Sequence, residues 1–311
     1  MSSIAQSCLR IACIICIALA LSSCITTLTE PLSLSYSEKL VIRGVLQAGK
    51  PICGIAITKS LPALSDLSDS ATAILDAVGT LSVNGRDYPL RLQQGSVSGA
   101  TTNSLSLYAA YSADTVLVAA SGSTYTLTVQ WHGKTAQAQT SVPPVPVLLS
   151  GRLIRQELVS LTSATYIPGT QPVTTTQRDT LLAAEVDVQT LPRIAYRTAL
   201  DIRDVQGNAL TQGYEGGLVF TANDETVSRT IVSGLLPSQT RIFAHTMSVA
   251  YTATVYAFDK AYYDYQLTRS RGQQASNLFG GTSGENVVWN VKGDGIGLFI
   301  GVATAQRVIV P

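Results

Sequence analysis

The groups able to carry chemistry are few: two histidines, five cysteines and 20 carboxylates in a chain of 311 residues. A hydrolytic triad needs a base in hydrogen-bond reach of a nucleophile and an acid to orient that base. No Gly-x-Ser-x-Gly elbow accompanies either histidine. His132 falls in a turn-like His-Gly pair and His245 at a polar-to-apolar transition, so both are expected to be ordinary surface or half-buried residues. After residue 24 there is no His-x-x-His, Cys-x-x-Cys or His-Glu-x-x-His spacing, and no metal or cofactor is expected. Glycoside hydrolysis needs only two carboxylates. Glu185 and Asp187 alternate along one stretch, Asp201 and Asp204 flank a turn, and Asp224 and Glu225 adjoin in a loop. With the acids spread along the whole chain, solvated faces are the simpler reading, and catalysis is not expected.

Aromatic side chains are the better candidates for binding. Trp131 and Trp289 are the only tryptophans, and Tyr262, Tyr263 and Tyr265 cluster with Tyr251 and Tyr256 close by. Exposed, such rings stack on sugars or anchor a protein partner; buried, they pin a helix to a sheet.

The elements that would position these residues read as strands. The stretch 40–46 is apolar and β-branched, and 55–58 is a second strand; 59–73 is a polar loop with room for a helical turn. Asn84-Gly85 is the preferred pair for a two-residue hairpin turn, between 80–83 and 86–90. A second hairpin runs from 125–129 through His132-Gly133 to 135–138. Pro143, Pro144 and Pro146 cannot donate to a ladder, so a sheet should stop there. Further strands are expected at 181–188, 195–203, 229–232 and 248–257. Asp259 is placed to cap a helix over about 260–270, with Gly272 just past its end. The expected fold is all-β: an immunoglobulin-like β-sandwich over 39–146, then a second β-sandwich-like domain over 147–311 carrying the one short helix.

The first 24 residues specify an address. Arg10 precedes an eleven-residue apolar run, 11–21. At 1.5 Å per residue this run spans about 16 Å, against a bilayer core of about 30 Å, so it is a signal-peptide core and not a membrane span. Leu21-Ser22-Ser23-Cys24 follows and resembles a bacterial lipobox, with 1–23 removed and the Cys24 thiol acylated. Residues 24–38 would then be a tether. Only Cys53 remains downstream, with no partner for a disulfide. It lies between isoleucines and is expected to be a buried small hydrophobe. Loss of 1–23 removes Arg10 and no acid, leaving 20 basic and 20 acidic side chains. Attachment would therefore come from acyl chains, and no field draws nucleic acid.

The segment 290–301 (NVKGDGIGLFIG), together with the tyrosine-bearing helix, resembles the domain-of-unknown-function 4249 family of Bacteroidota lipoproteins. There a helix with an aromatic pattern leads to Asn-[Ile/Val]-x-Gly-Gly-x-Gly-x-Phe and a last strand. Asp294 stands where the second glycine of that pair is usual. The opening is similar too: 39–44 (KLVIRG), 58–62 (TKSLP), and a hairpin from Tyr125 that ends in Val142-Pro143. The resemblance implies outer-membrane attachment near receptors or transporters and no established catalytic residue. Read physically, Gly293, Gly295 and Gly297 strip side chains from one face of a strand, as close approach of another backbone requires.

The expectation is a palmitate-type lipoprotein of the outer membrane, non-catalytic, binding or scaffolding beside a receptor or transporter protein. Ile25 after Cys24 is not the acidic residue associated with inner-membrane retention, and the lack of an acidic run linked to surface export favours the periplasmic face. The alternatives are a carbohydrate-binding accessory lipoprotein, with Trp131, Trp289 and the tyrosines lining a groove, and a carboxylate-pair hydrolase.

Overall fold

Asn84-Gly85 and His132-Gly133 both reverse the chain in the left-handed region, at φ 50° and 73° for the first pair and 45° and 78° for the second. That is the conformation a two-residue hairpin turn demands and asparagine and glycine tolerate. The computed structural model describes residues 36–62, 65, 69–93, 110–113, 117–165, 173–204, 206, 208, 214–221, 226–235, 250–279 and 287–309, with backbone alone at 155–165, 173–180 and 270–279. Residues 1–24 with Cys24, His245, Asp224 and Glu225 lie outside the described residues.

The strands are β1 (Leu40–Gln47), β2 (Ala56–Lys59), β3 (Val78–Val83), β4 (Arg86–Gln93), β5 (Ala110–Ala113), β6 (Thr124–Trp131), β7 (Lys134–Ser141), β8 (Val147–Thr165), β9 (Val173–Thr190), β10 (Ala195–Arg203), β11 (Tyr214–Glu215), β12 (Val219–Phe220), β13 (Val227–Val232), β14 (Ala250–Phe258), β15 (Val291–Gly293) and β16 (Gly295–Ile309). A helical turn α1 (Asp69–Thr72) lies in the loop after β2, and helix α2 (Lys260–Phe279) follows β14. The fold is all-β and sandwich-like. A seven-stranded sheet runs β11-β10-β14-β16-β1-β2, with β12 also on β10; a six-stranded sheet runs β15-β7-β6-β3-β4-β5; a three-stranded sheet runs β13-β9-β8.

Residues Glu38–Pro311 form one compact unit. The proline run does end a sheet: β7 stops at Ser141, and Val147 opens β8 in another sheet. Sheet membership nevertheless crosses that point of the chain. The six-stranded sheet takes β15 from near the C-terminus, and β1 and β2 join the seven-stranded sheet beside β16.

The β1–β16 pair is parallel, and its register explains the glycines. Leu40, Ile42 and Leu46 stand opposite Gly295, Gly297 and Gly301, while Phe299 stands opposite Gly44. Large and small side chains thus alternate between the strands, as close packing requires. A Cβ at Gly295 would lie 2.7 Å from the Ala136 methyl, and one at Gly301 would lie 2.6 Å from the Ser141 carbonyl oxygen, so β7 passes directly over this face. Asp294, where a glycine is usual, is not in the left-handed region. Its carboxylate accepts the Thr135 N–H at 2.9 Å and its own N–H donates to the Thr135 carbonyl at 2.9 Å, tying β16 to the second hairpin turn.

Three apolar clusters fill the layers. β1 and β2 pack on the six-stranded sheet through residues such as Ile42, Phe299, Leu81, Tyr111 and Leu127. β10 and β14 pack on the three-stranded sheet through Tyr196, Leu200, Val255 and Val186. On their other face Phe258, Ile300 and Val302 receive α2 through Tyr263.

Three expectations need correction. Cys53 is exposed. Ile52 and Ile55 both point inward, and Gly54 at φ 73° turns the chain between them, which leaves the thiol outside. The helix does not stop near 270 but runs to Phe279 through Gly272, since glycine inside a helix costs only about 1 kcal/mol. Strand β8 and the first part of β9 were not expected; they form one long hairpin paired from Val147↔Gln189 to Thr165↔Val173.

Candidate functional site

Helix α2 starts because Asp259 caps it. Its Oδ1 accepts the Tyr262 N–H at 3.0 Å, and its carbonyl accepts the Tyr263 N–H at 3.0 Å. The Asp259 side chain is also deep in the fold, 3% exposed, where its Oδ2 accepts the Thr140 hydroxyl of β7. Its N–H donates to the Gly301 carbonyl of β16 at 3.0 Å. Burial raises this carboxyl to about 6, the hydrogen bonds from Thr140 and the helix N-terminus opposing the rise.

The cap sets the helix so that its tyrosines divide. Tyr263 faces inward, 8% exposed, with its ring edge-on to Phe220 at 5.3 Å. Tyr262 and Tyr265, three residues apart and so on one stripe, continue a run of rings. Tyr256 stacks near Phe258 (6.2 Å), Phe258 meets Tyr262 (4.4 Å), Tyr262 meets Tyr265 (6.5 Å), and Tyr265 meets Trp289 (5.1 Å). The run begins in the sheet and ends on Trp289, 40% exposed. The Val288 N–H donates to the Thr268 hydroxyl at 3.0 Å, which holds the Trp289 segment against the helix. Asn290, next in sequence, donates to the Gln139 carbonyl at 2.9 Å and the Phe299 carbonyl at 2.5 Å, and accepts the Phe299 N–H at 2.9 Å. One side chain thus joins β7 and β16 behind the tryptophan.

The sheet end of the run carries charge. The Arg197 guanidinium lies over the Phe258 ring at 5.4 Å, pairs with Glu215, and reaches the Tyr262 hydroxyl at 3.4 Å. Its Nε is buried without an acceptor. Beside it on the same face Asp201 accepts from the Thr254 hydroxyl at 3.4 Å, with Arg203 4.0 Å away. Burial pushes the Asp201 carboxyl above the ordinary carboxylate range, Arg203 and Thr254 opposing it. Burial also raises the Tyr256 phenol, helped by the charges of Asp201 and Glu215.

Trp131 stands elsewhere. It belongs to the core against the six-stranded sheet, 9% exposed, and its Nε1 donates to Asp76 at 2.9 Å. His132 stacks on it at 4.4 Å and contacts the other Asp76 oxygen at 3.1 Å, while Lys134 lies 5.4 Å over the indole. The Trp131 hydrogen bond, then that of His132, holds the Asp76 carboxyl below its usual value. The structure therefore brings together Tyr262, Tyr265 and Trp289, turns Tyr263 into the core, and places Trp131 in a separate constellation.

The acids of the sequence reading are also placed. Glu185 pairs with Arg152, and Asp187 accepts from Ser150 and Thr230, so both serve the β8–β9–β13 face. Asp204 caps its own turn by accepting the Asn208 N–H at 2.8 Å. Arg197, Glu215, Asp76 and Asn290 were not singled out beforehand as site residues. For Arg197 the signal was present in the alternation of 195–203, where Tyr196, Leu200 and Ile202 take one face and Arg197, Asp201 and Arg203 the other. No group of three or more His, Cys, Asp or Glu side chains able to hold a metal ion occurs among the described residues.

No curated protein matches the chain. A family model described as a domain of unknown function, DUF4249, matches residues 25–307, a span that takes in the capped helix, the Asn290 clasp and the glycine strand, and the chain belongs to that family.

Proposed function

We propose that this protein is a lipid-anchored, non-catalytic binding module, held at the periplasmic face of a bacterial outer membrane by acyl chains on Cys24 and working beside a receptor or transporter protein. The observation that carries the reading is Leu21-Ser22-Ser23-Cys24 placed directly after an apolar run too short to span a bilayer. Two further observations support it. The family match begins at residue 25, one past the candidate lipidated cysteine. The compact unit that carries the sheets begins at Glu38, 14 residues past Cys24. The binding role rests on the aromatic run that surfaces at Trp289.

The test is acylation and partition. Cys24→Ser should abolish incorporation of labelled palmitate and move the chain from the membrane pellet to the soluble fraction. If labelling and partition are unchanged in the variant, the anchor is not at Cys24. In-membrane cross-linking followed by mass spectrometry of the wild-type adduct then identifies the neighbouring protein. Failure to recover any outer-membrane partner removes that part of the reading.

A further inference from the structure

The face of the seven-stranded sheet turned away from the three-stranded sheet is built differently from its core side. The register of β10, β14 and β16 sets Arg197, Tyr256 and Thr304 in one row and Asp201, Thr252 and Val308 in another. Between them lies a row of Ala199, Thr254 and Gln306, continued by Glu215 of β11. The alternate residues Ala253, Val255 and Ala257 are the ones buried against the three-stranded sheet. The outward face is therefore polar by design of the strand period. Helix α2 packs on its Phe258–Val302 end, and Ala199, Thr252 and Thr254 in the middle of the face are buried among their neighbours. Among the described residues Gln306 is exposed and Val308 is 62% exposed on it.

Its charges cancel locally, Arg197 against Glu215 and Arg203 near Asp201. An ionic ligand would meet both signs and gain little. The neutral amide of Gln306 is exposed and only loosely engaged, its Nε2 lying 3.3 Å from the Thr254 hydroxyl, so it keeps a second N–H and an acceptor oxygen to spare. Beside it the rings from Tyr256 to Trp289 offer apolar faces. A ligand matching both halves carries many uncharged hydroxyls and a hydrophobic C–H face. A peptide would instead seek a free strand edge, and β14 and β16 here are interior strands.

We propose that the β10–β14–β16 face and the adjoining aromatic run bind an uncharged glycan, its hydroxyls on Arg197, Glu215 and Gln306 and its pyranose face on Tyr265 and Trp289. This deepens the binding-module reading and depends on it only for the claim that the protein binds rather than turns over its ligand.

The experiment is a titration of the purified full-length protein in detergent, followed by tryptophan fluorescence and calorimetry. The probes are neutral hexasaccharides of α- and β-linked glucose, mannose and xylose, with hexagalacturonate as the charged arm. At least one neutral probe should saturate with an affinity insensitive to salt. Trp289→Ala and Gln306→Ala, both at exposed positions, should each weaken it about five- to tenfold, the scale of one stacking or hydrogen-bond contact. Leu75→Ala, an exposed site on the other part of the fold, should leave it unchanged. Circular dichroism checks that the variants fold. Saturation by none of the neutral probes, binding by hexagalacturonate alone, or binding indifferent to both Trp289→Ala and Gln306→Ala overturns the proposal. None of these outcomes bears on the anchor, which is read from acylation of Cys24.

Discussion

Single residues set the closest approaches in this fold. Gly297 sits at φ 128°, and a Cβ there would lie 2.0 Å from the Ile42 carbonyl oxygen of the paired strand. Neither problem can relax without opening the β1–β16 ladder. Gly297→Ala should therefore lose about 3 kcal/mol or more in urea unfolding. Gly217, with nothing within 4 Å of its would-be Cβ, is the matched control, and Gly217→Ala should stay within about 0.5 kcal/mol. Asn290 acts through hydrogen bonds instead. Asn290→Ala breaks its three bonds to Gln139 and Phe299 and strands partly buried backbone groups, for a loss of about 2–3 kcal/mol by the same measurement. Both residues lie in the segment that carries the family resemblance. Its glycines and asparagine are thereby explained as packing and clasping devices. No ligand is needed to account for them.

At the scale of elements, helix α2 is fastened by a buried acid. Asp259 stands at about 6 when folded and near 3.8 when not. The folded protein thus binds more protons than the unfolded chain between these values. The contribution favours folding fully below the unfolded value and is lost as the pH rises through about 6, roughly 3 kcal/mol across the window. Asp259→Asn keeps a capping oxygen but cannot titrate. The difference in stability between wild type and Asp259→Asn should therefore change between pH 4 and 7, the wild type losing ground as the pH climbs. A difference that stays flat would mean the carboxyl is not held protonated. The start of this helix was legible because a cap is local chemistry, one side chain reaching the N–H three residues on. Its end was not, because Gly272 reads as a stop and only the packed environment decides whether the helix passes it.

At the scale of the whole molecule, β16 is shared. Phe299 lies in the core against the six-stranded sheet, Ile309 in the core against the three-stranded sheet, and Val302 in the cluster under α2. A strand common to all three couples their melting. Single-tryptophan variants Trp131→Phe and Trp289→Phe report the two regions separately, and their unfolding transitions should coincide in midpoint. Two separated midpoints would show that the halves on either side of the proline run fold independently.

The sequence by itself determined what local chemistry can determine. The two hairpin turns need residues that accept positive φ, and the period-two run at 195–203 already separates a charged face from an apolar one. Tertiary structure alone decided who stands beside whom. The parallel pairing of the first strand with the last joins residues more than 250 positions apart, and no local pattern encodes such a partner. The same holds for the division of the aromatics. Tyr262, Tyr263 and Tyr265 are alike as letters, but one helical register, set by a buried cap against β7 and β16, sends Tyr263 inward and leads the other two out towards Trp289.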